Sequence, residues 1–173
     1  MRRSTLVLAL LALLSSAGSL AAQAAPVTTI VFVRHAEAAG GDPRDPTLSP
    51  AGQERAQALL KAMGGAGVAA VYTSQYNRTK QTGEVVATAS GTTVTVIPVN
   101  GATLEADAEA LIARIVHDYA GRTVLVVGHS NTVPLMVKKA TGIVVDPIVE
   151  TQFDRLFVVT VTDGTGRVIQ AKY

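Results

Sequence analysis

Four times along this chain, a short run rich in β-branched residues gives way to a segment whose apolar residues fall at helical spacing. That alternation restricts the fold more than any other feature. The runs are TTIVFV (28–33), GVAAVYTS (67–74), TTVTVIPV (92–99) and RTVLVVGHS (122–130), and each reads as a buried strand. The segments that follow are 48–63, 78–90, 104–119 and 132–142. Ser49 suits the N-cap of the first and Pro50 its first helical position. Gly83 weakens the second, and Gly142 ends the fourth. RLFVVTVTD, a glycine turn and GRVIQAKY read as a final hairpin. The pattern predicts a three-layer α/β/α sandwich around a mostly parallel sheet, with a C-terminal β-hairpin.

The beginning of the chain stands apart. MRRSTLVLALLALLSSAGSLAAQA carries two arginines, an apolar run from Leu6 to Leu14 and then small residues, with Ala22-Gln23-Ala24 fitting an A-x-A cleavage site. This is the layout of a secretory signal peptide, and the apolar run is short for a transmembrane helix. Residues 1–24 are therefore expected to be removed and 25–173 to form one domain, periplasmic or secreted, with no stable membrane anchor after cleavage. Removal also changes the charge balance. The chain has 15 Lys+Arg and 13 Asp+Glu; without Arg2 and Arg3 it has 13 of each, so its basic character gives no support to a nucleic-acid partner. The absence of cysteine excludes disulfides and thiolate chemistry.

Three predicted strands end in unusual polar groups. Arg34-His35 follows the first, YTSQYNRTKQT with Arg78 follows the second, and VGHSN with His129 follows the fourth. In an open parallel sheet the carboxyl ends of the strands border the ligand crevice, so two histidines and two arginines are expected to converge there. Two guanidinium forks suit an oxyanion such as phosphate. A neutral imidazole within reach can attack phosphorus, and neighbouring arginines disfavour its protonated form. A second histidine would donate to oxygens that gain charge in the transition state. His117, late in a helix, and the pair Lys138 and Lys139 read as partners of helix termini. Arg55 and Arg44 read as surface residues, with Arg44 in a Gly/Pro/Asp loop that could border the site.

The segments RHAE, YTSQYNRTKQT and VVGHSNT, together with LSPAGQERAQ and FDRLFVV, resemble the histidine phosphatase superfamily, the phosphoglycerate-mutase-like fold, and in particular its small exported bacterial members. The resemblance runs from about Thr28 to Tyr173. It implies His35 as a nucleophile passing through a phosphohistidine, Arg34 and Arg78 as phosphate ligands, His129 completing the pocket and backbone near Ser130 assisting. It implies no metal and no organic cofactor, and a phosphorylated small-molecule substrate. Many members place an acid after the third strand. Here that region reads NGATLEADAE, which makes Glu105 the expected general acid, with Asp107, Glu37 and Glu150 as alternatives.

Other functions compete with hydrolysis of a phosphomonoester. GHSNT partly matches the G-x-S-x-G nucleophile elbow with Ser130 as nucleophile, but Thr132 replaces the last glycine and no histidine follows His129 to complete a triad. A non-enzymatic member binding a phosphorylated ligand would keep the cradle without turnover. Within the family, a mutase is disfavoured by the short, exported chain. A phosphohistidine phosphatase would need little acid help.

Overall fold

The computed structural model describes residues 24–42 and 44–173. The expected signal peptide, all but its last residue, lies outside them. Ten elements follow one another: β1 (Thr28–Arg34), α1 (Pro50–Ala62), β2 (Val68–Thr73), α2 (Asn77–Ala89), β3 (Val94–Val96), α3 (Leu104–Asp118), β4 (Thr123–Gly128), α4 (Thr132–Thr141), β5 (Arg155–Thr162) and β6 (Thr165–Lys172). One six-stranded sheet has the order β3-β2-β4-β1-β5-β6. The first four are parallel; β5 runs antiparallel to β1 and forms the expected hairpin with β6.

The apolar strands are continuous because both faces of the sheet are covered. Alternate residues of β1 serve opposite layers. Ile30 and Phe32 join α3 and α4 through Leu111, Ile115, Val133 and Val137. Val31 and Val33 join α1 and α2 through Leu59 and Val86. Phe32, Phe157, Ile115, Leu59 and Val137 have no exposed surface. The sequence boundaries move most at β3, which keeps only three residues of the run 92–99. It is an edge strand, and Pro98 has no N–H with which to extend the ladder.

Two features tie the first helices to the ends of their strands. Ser49 caps α1, its Oγ accepting from Gly52 N at 3.1 Å, while Ser49 N donates to Glu37 O at 2.9 Å. Gly52 lies so close to this same Glu37 carbonyl that a side chain there would strike backbone. Gly83, a weak point by propensity, lets α2 approach the sheet: a Cβ there would lie 2.9 Å from Val71 Cγ1 and 3.0 Å from Thr73 Cγ2.

Gly52→Ala should lower stability, by roughly 1–3 kcal/mol for an overpacked site, although alanine favours a helix interior by about 1 kcal/mol over glycine. Urea unfolding of the two proteins checks this. A raised midpoint would mean that α1 is not docked on the Glu37 backbone.

Candidate active site

The three strands that end in polar residues are neighbours at the centre of the sheet, β2-β4-β1, and run parallel. Arg34 pairs in register with Gly128, and Thr73 with Val127, so their carboxyl ends fall at one edge. There Arg34, His35, Tyr76, Arg78, Val99, His129, Ser130, Asn131 and Glu150 line a cleft of about 340 Å³. His35 extends the ladder one step beyond β1, its N–H donating to Gly128 O at 2.9 Å. Arg78 occupies the first turn of α2, and His129 bridges β4 and α4. Thr132 Oγ1 accepts from His129 N at 2.8 Å and so sets the turn into α4.

The hydrogen bonds of His35 determine its tautomer. Nδ1 lies 2.7 Å from Ala36 O, which can only accept, so Nδ1 carries the proton. Nε2 is then the acceptor, and Arg78 Nε donates to it at 3.2 Å. Burial holds His35 well below the ordinary imidazole range, at about 4; Arg78 and Arg34 push the same way, against the raising effect of the Ala36 carbonyl. Burial also lowers His129, to about 3, with further contributions from His35, Arg78 and Arg34. The two rings stand edge to face with centroids 5.3 Å apart. His129 Nε2 lies 2.9 Å from Ser74 Oγ, itself 2.8 Å from Thr79 Oγ1, a buried chain that orients the ring.

Aromatic faces hold both arginines. Arg78 stacks on Tyr76 with 4.5 Å from Cζ to the ring centre, and Arg34 on Phe153 with 4.2 Å. Arg34 also organises the loop before β5. Its Nη1 donates to the carbonyls of Val149 (2.9 Å), Glu150 (2.9 Å) and Gln152 (3.2 Å), and its Nη2 to Glu150 Oε2 (2.8 Å). Gln75 grips Val99 from both sides, accepting from its N–H at 2.8 Å and donating to its carbonyl at 3.3 Å. Val99 also lines an apolar cavity of about 50 Å³ between the sheet and α3.

The structure brings five of the six expected site residues to the cleft and corrects the sixth. Glu105, in the first turn of α3, is exposed and paired with Lys139 at 3.3 Å, and it does not line the cleft. Helical spacing along α3 turns it toward α4 instead. Asp107 accepts from Thr103 Oγ1 at 2.6 Å, and Glu37 is held by Arg55 at 2.7 Å. Arg55, expected at the surface, is therefore a half-buried partner of Glu37. The carboxylate that does line the cleft is Glu150. Arg44 is exposed and does not line it, although Asp45 of the same loop accepts from Asn77 N at 2.7 Å, at the start of α2. His117 is exposed beside Asp118. Ser74, Tyr76 and Phe153 were not singled out from sequence; the first two lie within the YTSQYNR segment, and Phe153 opens the FDRLFVV segment. Among the described residues, no group of three His, Cys, Asp or Glu is arranged to hold a metal ion, and no helix is long and apolar enough to cross a membrane.

Residues 30–99 match the sequence model of the histidine phosphatase superfamily (branch 1). That stretch, less than half of the chain, is similar to this superfamily. Among curated proteins, none matches. Among solved structures, the protein histidine phosphatase SixA complexed with tungstate is similar at TM-score 0.63 and 20% identity, over 83% of this chain and 96% of that one. A mycobacterial glucosyl-3-phosphoglycerate phosphatase is similar at TM-score 0.67 and 14% identity, over 85% and 98%. A variant of phosphoserine phosphatase from Entamoeba histolytica, in complex with phosphoserine, is similar at TM-score 0.64 and 13% identity, over 82% and 94%. At these identities the likenesses show a shared fold, over 82–85% of this chain.

His35 should stay neutral far below the usual imidazole range. Nitrogen NMR at neutral pH should find the proton on Nδ1, and titration should place the midpoint near 4. The unfolded chain protonates these rings near the ordinary 6.5, the folded one near 4 and 3. Between those values the unfolded state binds more protons, so stability should fall as pH drops below about 6.5. A flat stability curve across that window would contradict the burial of two neutral imidazoles.

Proposed function

We propose that this chain is a metal-independent phosphatase of acid type that hydrolyses a phosphorylated small molecule through a phosphohistidine on His35. The observation that carries the reading is the unprotonated Nε2 of His35, met by Arg78 Nε at 3.2 Å beside His129 in one cleft. That the structural relatives are phosphatases, one of them holding the tetrahedral oxyanion tungstate, supports it.

The steps follow from the geometry. The substrate phosphoryl group takes the place of His35 as acceptor for Arg78, which frees the Nε2 lone pair. Nε2 attacks phosphorus, the bond to the leaving oxygen breaks, and the electron pair departs with that oxygen. The imidazole becomes cationic as it is phosphorylated, and the Nδ1–H bond to Ala36 O stabilises that charge. The arginines and His129 meet the oxygens on which charge accumulates. Water then attacks phosphorus, Nε2 leaves, and inorganic phosphate is released with His35 neutral again.

The placement of Glu105 favours a second reading of the substrate. No buried carboxylic acid stands in the cleft among its lining residues, so an alkoxide leaving group would depart without a dedicated donor. A phosphorylated imidazole, whose leaving nitrogen needs little proton help, would also suit the site, although the proposed export weighs against it. Comparing turnover of a phosphohistidine peptide with that of alkyl phosphates separates the two.

We extend the proposal to location: residues 1–24 act as an export signal, and the mature protein starts near Ala25 in the periplasm or outside the cell. Intact mass of exported protein tests this, and recovery of the full-length chain in the membrane would contradict it.

Arg78→Ala should abolish most turnover of p-nitrophenyl phosphate in the presence of EDTA, and Arg78→Lys should not restore it, because an ammonium has neither the fork nor the planar face that stacks on Tyr76. His129→Ala should lose about 10²–10³-fold, the scale of one preorganised donor. Full recovery with lysine, or wild-type activity that EDTA removes, would overturn this assignment.

A further inference from the structure

Arg34 has two hydrogen-bonding edges, and the structure uses them differently. Nη1 is committed to three loop carbonyls. Nε and Nη2 form the parallel pair of N–H groups that takes an oxyanion bidentately. Nε has no hydrogen-bond partner among the described residues, although Arg34 is only 5% exposed. Such an unpaired buried donor is costly and points to a ligand. Nη2 is already taken by Glu150 Oε2 at 2.8 Å. The other oxygen of that carboxylate, Oε1, accepts from Ser130 Oγ at 3.2 Å. One carboxylate therefore sits on two groups of the phosphate cradle.

Glu150 differs from the other acids near the cleft. Its side chain is 82% exposed, whereas Glu37 is 22% exposed and locked to Arg55. The backbone around it is anchored: Val145 and Ile148 are buried in the core, and Arg34 Nη1 grips the carbonyls on either side. A fixed backbone with a solvent-facing side chain lets the carboxylate swing away without moving the loop.

We infer that Glu150 is a displaceable internal anion, holding Arg34 and Ser130 in the free protein and leaving them when a phosphoryl group binds. The inference rests on the phosphatase reading of the cleft. It makes Glu150 a residue that sets affinity: an incoming phosphate must break a charge-assisted bond to a buried guanidinium before it gains its own. A weakly held anion cannot do so, while a phosphoryl dianion taking both Nε and Nη2 can.

Calorimetric titration with inorganic phosphate tests this on the mature wild-type chain, Glu150→Gln and Glu150→Ala. Exposure of the side chain means that neither substitution threatens the core. Phosphate should bind Glu150→Ala about tenfold more tightly than wild type, the scale of one charge-assisted hydrogen bond. Glu150→Gln should gain less, since an amide oxygen still accepts from Arg34 and Ser130. The gain should persist at about 0.5 M salt, where repulsion between separated charges is screened. Unchanged or weaker binding would make Glu150 a brace for its loop and overturn the inference, as would a gain that salt abolishes. Failure of all three proteins to bind phosphate or turn over p-nitrophenyl phosphate would instead overturn the phosphatase reading itself.

Discussion

Two guanidiniums flank the imidazole of His35, and the ring tolerates them only because it is uncharged. Burial and the arginines act in the same direction on its protonation, while the Ala36 carbonyl fixes the remaining proton on Nδ1. Nε2 is thereby left unprotonated at the cleft, where Arg78 donates to it. In the proposed reaction, the same charges that suppress the imidazolium would attract the phosphate dianion, so a single electrostatic arrangement would both activate His35 and recruit what it attacks.

The fold makes that arrangement possible through adjacency. Because β2, β4 and β1 are parallel neighbours, each following turn projects its polar groups at the same edge, and the flanking helices bury the rest. The arginines are then stiffened from outside the sheet, Arg78 by Tyr76 and Arg34 by Phe153 and the loop carbonyls. A guanidinium that is already ordered loses less freedom on binding an anion, which favours tight recognition by few contacts.

What could be read from the sequence follows the range of each interaction. The parallel core, the N-cap of α1 and the hairpin are local patterns, and they appear where periodicity places them. His35, Arg34, Arg78, His129 and Ser130 could be assembled because strand ends in a parallel sheet share an edge by topology. Glu105 could not be placed that way: its pairing with Lys139 depends on how α3 packs on α4. Glu150 reaches the cleft through contacts with Arg34, 116 residues away, made by a loop with no periodic signal of its own. Ser74 was visible only as part of a motif, since its partner His129 arrives from another strand. β3 shortened because edge position and Pro98 outweighed a β-branched run.

The central claim is that His35 becomes covalently phosphorylated. Rapid quench with radiolabelled p-nitrophenyl phosphate, followed by peptide mapping of acid-labile, base-stable label, tests it most directly. The account predicts stoichiometric label on His35 within the first turnover and none in His35→Ala. An active enzyme with label on Ser130, or with no label and no burst, would contradict it.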